Sequence, residues 1–176
     1  MVRSRLLSFR LGLGSLLVLI FSLLDVGNAI ADDKVQKADE VLVLKSKRLL
    51  YLLADGEVIR EYSIGLGGNP KGHKQREGDK RTPEGRYVID YRNLESAYYL
   101  SLHISYPNEN DKARAEQQGV DPGGMIMIHG LPNKLGWATL LFKGRDWTDG
   151  CIAVTNSEMD EIGDLVPNGT PIEIRP

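Results

Sequence analysis

Apolar residues along this chain fall into short runs separated by Gly, Pro, Asn and Asp, and the period of each run sets the element it favours. From Glu40, the stretch EVLVLKSKRLLYLLADGEVIREYSIGLG holds three runs rich in Val, Leu, Ile and Tyr, broken at Ser46-Lys47 and at Asp55-Gly56. Two tight turns between three such runs predict a β-meander. Gly65 to Gly85 loses the pattern and predicts a loop closing on Thr82-Pro83-Glu84-Gly85, after which RYVIDYR resumes strand character. Tyr98 to Ser105 alternates cleanly: Leu100, Leu102 and Ile104 share one face, and Ser101, His103 and Ser105 the other. His103 is therefore expected to point away from the core-facing side.

The polar segment NENDKARAEQQG follows Pro107 and ends at Gly119, which predicts a surface helix. MIMIHG is a continuous apolar run bounded by Gly and too short for a helix, so it predicts a buried strand ending at His129-Gly130. Thr155-x-x-Glu158 is a capping-box pattern that opens a short helix to Asp164, stopped by Pro167. Asn168-Gly169 marks a turn before PIEIR, a last strand. The reading is a mainly β domain with two or three short helices and no internal repeat.

The N-terminus departs from this pattern. Arg3, Arg5 and Arg10 precede the apolar run Leu11 to Leu24, and Ala29-Ile30-Ala31 follows, the order of a secretory signal peptide over residues 1–31. The apolar run is shorter than a membrane span requires, so no span is expected after cleavage, and no cysteine stands at the cleavage point to carry a lipid. The expected location is the periplasm or cell envelope. Residues 32–176 have the length of one domain.

A chain that is 41% hydrophobic and 26% charged is globular in composition. Its formal net charge of -2 becomes more acidic once the signal arginines are gone, and no basic stripe interleaved with aromatics is present, which argues against nucleic acid. The one basic run, Lys71 to Arg81, reads as a solvated loop, or as a rim that meets substrate carboxylates. His73, His103 and His129 are scattered without metal-ligand spacing, so no metal site is expected.

Cys151 is the single cysteine of the chain and cannot form an intramolecular disulfide. In an oxidising compartment a free thiol is a liability, which asks for a chemical reason to keep it. A thiol needs a base or a positive field to react near neutrality. His129, at the end of a buried strand, is the candidate base, and a loop returning beside that strand would bring Cys151 to it. Gly150 allows close backbone approach to a substrate, and amides there could face a developing oxyanion, where one donor is worth about 3 kcal/mol. On residue types alone, a buried structural cysteine and a hydrogen-bonded core histidine stand beside this reading.

The ordered set Thr82-Pro83-Glu84-Gly85, Ile128-His129-Gly130 and Thr148-Asp149-Gly150-Cys151-Ile152 resembles the catalytic domain of the YkuD-type L,D-transpeptidases, in particular their YafK-like branch. The resemblance covers nearly all of the chain after the signal. It implies a β-sandwich-like fold and a cofactor-free cysteine acyltransferase of cell-wall biogenesis acting on peptidoglycan stem peptides. By that resemblance Cys151 is the nucleophile and His129 its base, the Gly130 carbonyl orients the histidine, and Gly150 and Cys151 supply oxyanion amides. Thiolester formation would expel the terminal D-alanine. An amine on a neighbouring stem would then give a cross-link, and a wall-linked lipoprotein is a further candidate partner.

Two positions depart from the family signature: its second histidine is Asp149, and the Arg or Asn two residues after the cysteine is Ala153. Asp149, with Thr148 and His103, is a candidate for acceptor binding or for orienting other groups, and a carboxylate there is expected to point away from the sulfur. Hydrolysis of stem peptides or of protein–wall links, as an L,D-carboxypeptidase or endopeptidase, stays open, as does a non-catalytic wall-binding module. Sortases place Thr directly before the cysteine, and papain-like enzymes place cysteine before histidine; this chain does neither.

Overall fold

The meander from Glu40 forms as the pattern requires. Strands β1 (Glu40–Leu44), β2 (Leu49–Ala54) and β3 (Glu57–Ser63) pair antiparallel in sequence. One turn of 3-10 helix, Lys45–Lys47, joins the first two. The second turn places Asp55 at φ 54 and Gly56 at φ 80, the two left-handed conformations that a tight hairpin with matching strand twist needs. The computed structural model describes residues 36–176; the expected signal peptide and its cleavage point lie outside the described residues.

Strands β4 (Gly85–Ser96) and β5 (Tyr99–Ile104) form a second hairpin, followed by helix α1 (Glu109–Gln117) and strand β6 (Met127–His129). Helix α2 (Thr139–Phe142), the two-residue strand β7 (Ile152–Ala153), helix α3 (Asn156–Leu165) and strand β8 (Thr170–Arg175) complete the order. The eight strands make one sheet in the order β3-β2-β1-β8-β4-β5-β6-β7. The last strand thus enters the middle, parallel to β1 and antiparallel to β4.

The sheet curls until its two edges meet. Beyond β3, Gly65 exchanges both backbone hydrogen bonds with Ala153 of β7, each at 2.8 Å. Inside the curl, Val41, Val43, Leu50, Leu52, Ile89, Leu102, Ile104, Ile128 and Ile152 are fully buried. Alternation is what puts them there: β2 reads half-buried, buried, half-buried along its whole length. Helix α3 covers this core with Met159, Ile162 and Leu165. Its N-terminus carries the anticipated capping box, Thr155 Oγ1 accepting from the Glu158 amide at 3.3 Å and Glu158 Oε2 accepting from the Thr155 amide at 2.8 Å. Asn108 and Asp111 make the same box on α1.

The basic loop is not the plain solvated loop of one sequence reading. Lys74 is buried, with Nζ 3.0 Å from Asp79 Oδ1, and Asp79 also accepts from the amides of Gln75, Arg76 and Arg81. That single carboxylate ties the loop into a fixed shape and is held below the usual carboxylate range by these donors, against the opposing effect of burial. Lys45, also buried, donates to Gly72 O, Thr82 O and Glu84 Oε1, anchoring both ends of the same loop; burial pulls its ammonium below the ordinary lysine value.

Candidate active site

Three adjacent strands converge on the candidate residues. His129 ends β6, opposite Ser101 of β5 and beside Ala153 of β7, and Cys151 immediately precedes β7. The parallel pairing of β6 with β7 is the link that brings the loop carrying Cys151 back beside the strand carrying His129. A cavity of about 360 Å³ opens there, lined among others by Tyr98, Ser101, Met127, His129, Trp147 and Cys151. Thr148 and Asp149 line it too.

His129 is 3% exposed, and its Nδ1 lies 2.6 Å from the carbonyl oxygen of Gly130. Only a protonated Nδ1 can donate to that carbonyl, so Nε2 is left as the acceptor. Its ring packs against Tyr98 at 4.6 Å between centroids, and meets Trp147 edge-on at 5.7 Å. Burial pulls its pKa below the ordinary histidine value, partly offset by the Gly130 carbonyl. Gly130 is constrained from the other side: a Cβ there would sit 2.7 Å from Asn156 Oδ1, which accepts the Leu131 amide at 2.8 Å. A side chain at position 130 would therefore push on the peptide that orients the imidazole.

Cys151 Sγ accepts the Met127 amide at 3.4 Å and donates to the Met125 carbonyl at 3.6 Å. Burial pushes the thiol pKa up from 9.0; the Met127 amide pulls it back, and the Asp149 carboxylate pushes it further up. Both shifts favour the neutral form of the group, thiol and imidazole alike. Met125 holds a left-handed backbone, φ 54, although it is not glycine, a conformation that costs on the order of 1 kcal/mol and sits beside the sulfur it accepts from.

The loop before Cys151 is fixed at several points. Asp146 accepts from Arg48 Nε at 2.9 Å, from Arg48 Nη2 at 2.6 Å and from the Leu66 amide at 3.0 Å, while Leu66 O receives the amides of Trp147 and Thr148. Thr148 Oγ1 donates to the Cys151 carbonyl at 2.7 Å and accepts the Gly150 amide at 3.2 Å. Gly150 has φ +130, and a Cβ on it would lie 2.6 Å from Arg81 O. Glycine is required there on both counts.

Asp149 points out of the site mouth with its side chain 88% exposed; Lys80 Nζ is 3.9 Å away. His103 lies outside the cavity lining, on the face away from the core, with Nδ1 2.6 Å from Asp90 Oδ1 and its ring stacked on Tyr91 at 4.5 Å. Sequence reasoning missed Tyr98, Ser101, Met127 and Trp147 as parts of the site. Ser101 had a readable signal, since it alternates with core residues on the strand that pairs with His129. Its Oγ is buried without a hydrogen-bond partner.

Comparison with known proteins follows the same lines. A family model described as the L,D-transpeptidase catalytic domain, YkuD, matches residues 38–174. The "Putative L,D-transpeptidase YafK" of Escherichia coli (strain K12) is 35% identical over 118 residues, covering 66% of this chain and 38% of YafK. The helical cell shape determining protein Pgp2 from Campylobacter jejuni superposes with a TM-score of 0.59 at 27% identity, covering 77% of this chain and 46% of that one. The L,D-transpeptidase of Xylanimonas cellulosilytica DSM 15894, at 17% identity and a TM-score of 0.51, shares the fold over 81% of this chain and 62% of its own. The chain therefore spans less than half the length of YafK and of Pgp2. The match over residues 38–174, joined to the curled sheet that carries His129 at the end of β6 and Cys151 just before β7, makes this chain a member of the L,D-transpeptidase catalytic domain family.

Proposed function

We propose that this protein is a cysteine-dependent L,D-transpeptidase that forms a thioester acyl-enzyme on peptidoglycan stem peptides. The observation that carries the reading is the shared cavity of Cys151 and His129, with Nδ1 of the histidine committed to Gly130 O and Nε2 left to take a proton. Cys151 Sγ attacks the carbonyl of the third stem residue while its proton passes to His129 Nε2. The tetrahedral oxyanion is met by the Cys151 amide, and by the Gly150 amide once it leaves Thr148 Oγ1. Protonated His129 then gives its proton to the departing D-alanine amine. An acceptor amine attacks the thioester, His129 again taking a proton, and leaves as the cross-linked product with the thiol restored.

Neutral resting groups suit this sequence, because the proton moves only as the C–S bond forms. The exposed Asp149 carboxylate at the mouth would meet the ammonium of an acceptor before attack, which its exposure supports. Through the wall, the reaction bears on cell shape, the property for which Pgp2 is named. Export to the periplasm or cell envelope, and the signal over residues 1–31, belong to the same reading. Among the described residues, no helix is long and apolar enough to cross a membrane.

The test is intact-protein mass spectrometry after incubation with purified tetrapeptide muropeptides, with products separated. The expected result is an acyl adduct on the native protein, none on Cys151→Ala, a loss of about 100-fold or more in its formation rate for His129→Gln, and cross-linked dimers. Shortened monomers without dimers would assign the hydrolase instead. No adduct and no product would refute acyl transfer altogether.

A further inference from the structure

Between β6 and the nucleophile loop, residues 131–145 read LPNKLGWATLLFKGR: three cations, Lys134, Lys143 and Arg145, and no acidic residue in a chain that is otherwise net acidic. A turn of 3-10 helix, Gly136–Ala138, runs directly into α2. Trp137, Leu140 and Leu141 stand at i, i+3 and i+4, a spacing that puts three side chains on one helical face. That face normally packs on a core. Here it is turned outward, with Trp137 81%, Leu140 90% and Leu141 59% exposed, while Ala138 is the buried residue.

The segment is held in this pose. Asn133 accepts the Tyr99 amide at 2.7 Å and donates through Nδ2 to Ser96 O at 3.0 Å; Leu135 N donates to Pro132 O at 2.7 Å; Thr139 Oγ1 donates to Gly136 O at 3.1 Å. Phe142 turns inward against Trp147 at 5.0 Å. Of the three cations, Lys143 has a neighbouring carboxylate, Glu158 Oε1, at 3.4 Å.

We infer that this face is a membrane-docking surface, and that its occupant is the headgroup region of a bilayer bearing anionic lipids. The charge pattern decides the chemistry: an exposed Trp and Leu cluster in a segment whose own charges are all cationic is what an in-plane interfacial segment presents to anionic headgroups. Three side chains on so short a helix fall well short of the roughly 800 Å² per side that a stable protein interface buries. Docking by this face sets the mouth beside His129 close to the lipid surface, since Phe142, Trp147 and His129 are in one contact chain. The inference does not rest on the acyl-transfer reading, because binding lipid requires no turnover.

The experiment reads Trp137 directly, so that any other lipid contact of the full chain does not obscure it. Trp137 emission is isolated by difference against Trp137→Phe, and its quenching by bromolipid is followed in phosphatidylcholine vesicles with and without phosphatidylglycerol. The expected result is quenching with phosphatidylglycerol that weakens in high salt. Leu140→Glu should lower the apparent partitioning about tenfold or more. Lys134→Ala and Arg145→Ala should each lower it about fivefold, by the loss of one headgroup attraction. Circular dichroism checks that these exposed substitutions leave the fold intact, and the cation variants stand as the test if Leu140→Glu does not fold. Absence of Trp137 quenching in anionic vesicles overturns the inference. So does quenching indifferent to Leu140→Glu and to both cation variants, or a concentration-dependent shielding of Trp137 without lipid, which would mean that a second copy covers this face.

Discussion

The protonation state of the Cys151–His129 pair can be read by alkylation without any substrate. Burial and the Asp149 carboxylate raise the thiol pKa, against the Met127 amide and a smaller pull from Lys74. With its pKa raised, the sulfur is less thiolate at pH 7 than the roughly 3% of an unperturbed cysteine of pKa near 8.5. A thiolate–imidazolium pair would instead be almost fully ionised there, with at least about 30-fold more thiolate. Iodoacetamide alkylation of the native protein, followed by mass spectrometry as a function of pH, separates the two. The expected rate climbs about tenfold per pH unit from neutrality until it nears the raised thiol pKa, in step with the thiolate fraction. A rate that is flat between about pH 6 and 8 would refute the neutral pair. Turnover should behave differently from alkylation on the acid side. His129 must be unprotonated to act as base, and burial holds its pKa below 6.5, so activity is retained at pH 6.5 and is lost only as pH falls through the lowered value.

Asp149→Asn removes a charge that raises the thiol pKa, so alkylation at pH 7 should quicken, by a few-fold at most because the carboxylate is solvent-screened; unchanged alkylation, turnover and pH profile would leave Asp149 without a role. Gly150→Ala forces a Cβ to 2.6 Å from Arg81 O at φ +130, and should cost about 2–4 kcal/mol in urea denaturation together with most of the activity; a fully stable, active variant would contradict that geometry. Asp146→Asn weakens the Arg48 pair that pins the nucleophile loop and should lower stability by about 1–2 kcal/mol, measured by the same unfolding, with a larger loss in kcat than in KM if the loop positions Cys151.

The parts of this molecule legible in its sequence are those where a local pattern and the tertiary outcome agree. The meander, the alternation that turns His103 away from the core face while burying Leu102 and Ile104, and the starts of α1 and α3 needed nothing beyond turn chemistry and period. β7 carries no such signal: two residues have no periodicity, and Ile152–Ala153 is a strand only because β6 on one side and Gly65 on the other offer it hydrogen bonds. The candidate nucleophile and base were named from their residue types and order, whereas Tyr98 and Trp147, which wall the imidazole, come from distant parts of the chain that meet only when the sheet curls. The basic loop misled for a related reason. Lysines at positions 45 and 74 look solvated by composition, but each is buried against a carboxylate that the sequence places far away or leaves ambiguous, Glu84 and Asp79 respectively.

Gly130 and Asn156 carry the same lesson into function. The family resemblance assigns the Gly130 carbonyl to orient the histidine, but not why the residue should lack a side chain. Asn156, the first residue of α3, supplies that reason: its Oδ1 caps the Leu131 amide and occupies the space a Cβ would need. The start of α3 is in turn fixed by the Thr155 capping box, so a helix-capping motif read as purely structural in the sequence holds the peptide that sets the imidazole tautomer. Weakening that cap should therefore reach the chemistry. In Thr155→Ala the loss of about 1 kcal/mol in stability should be accompanied by a fall in kcat without a matching rise in KM, and a variant that loses stability alone would show that α3 and the histidine are mechanically independent.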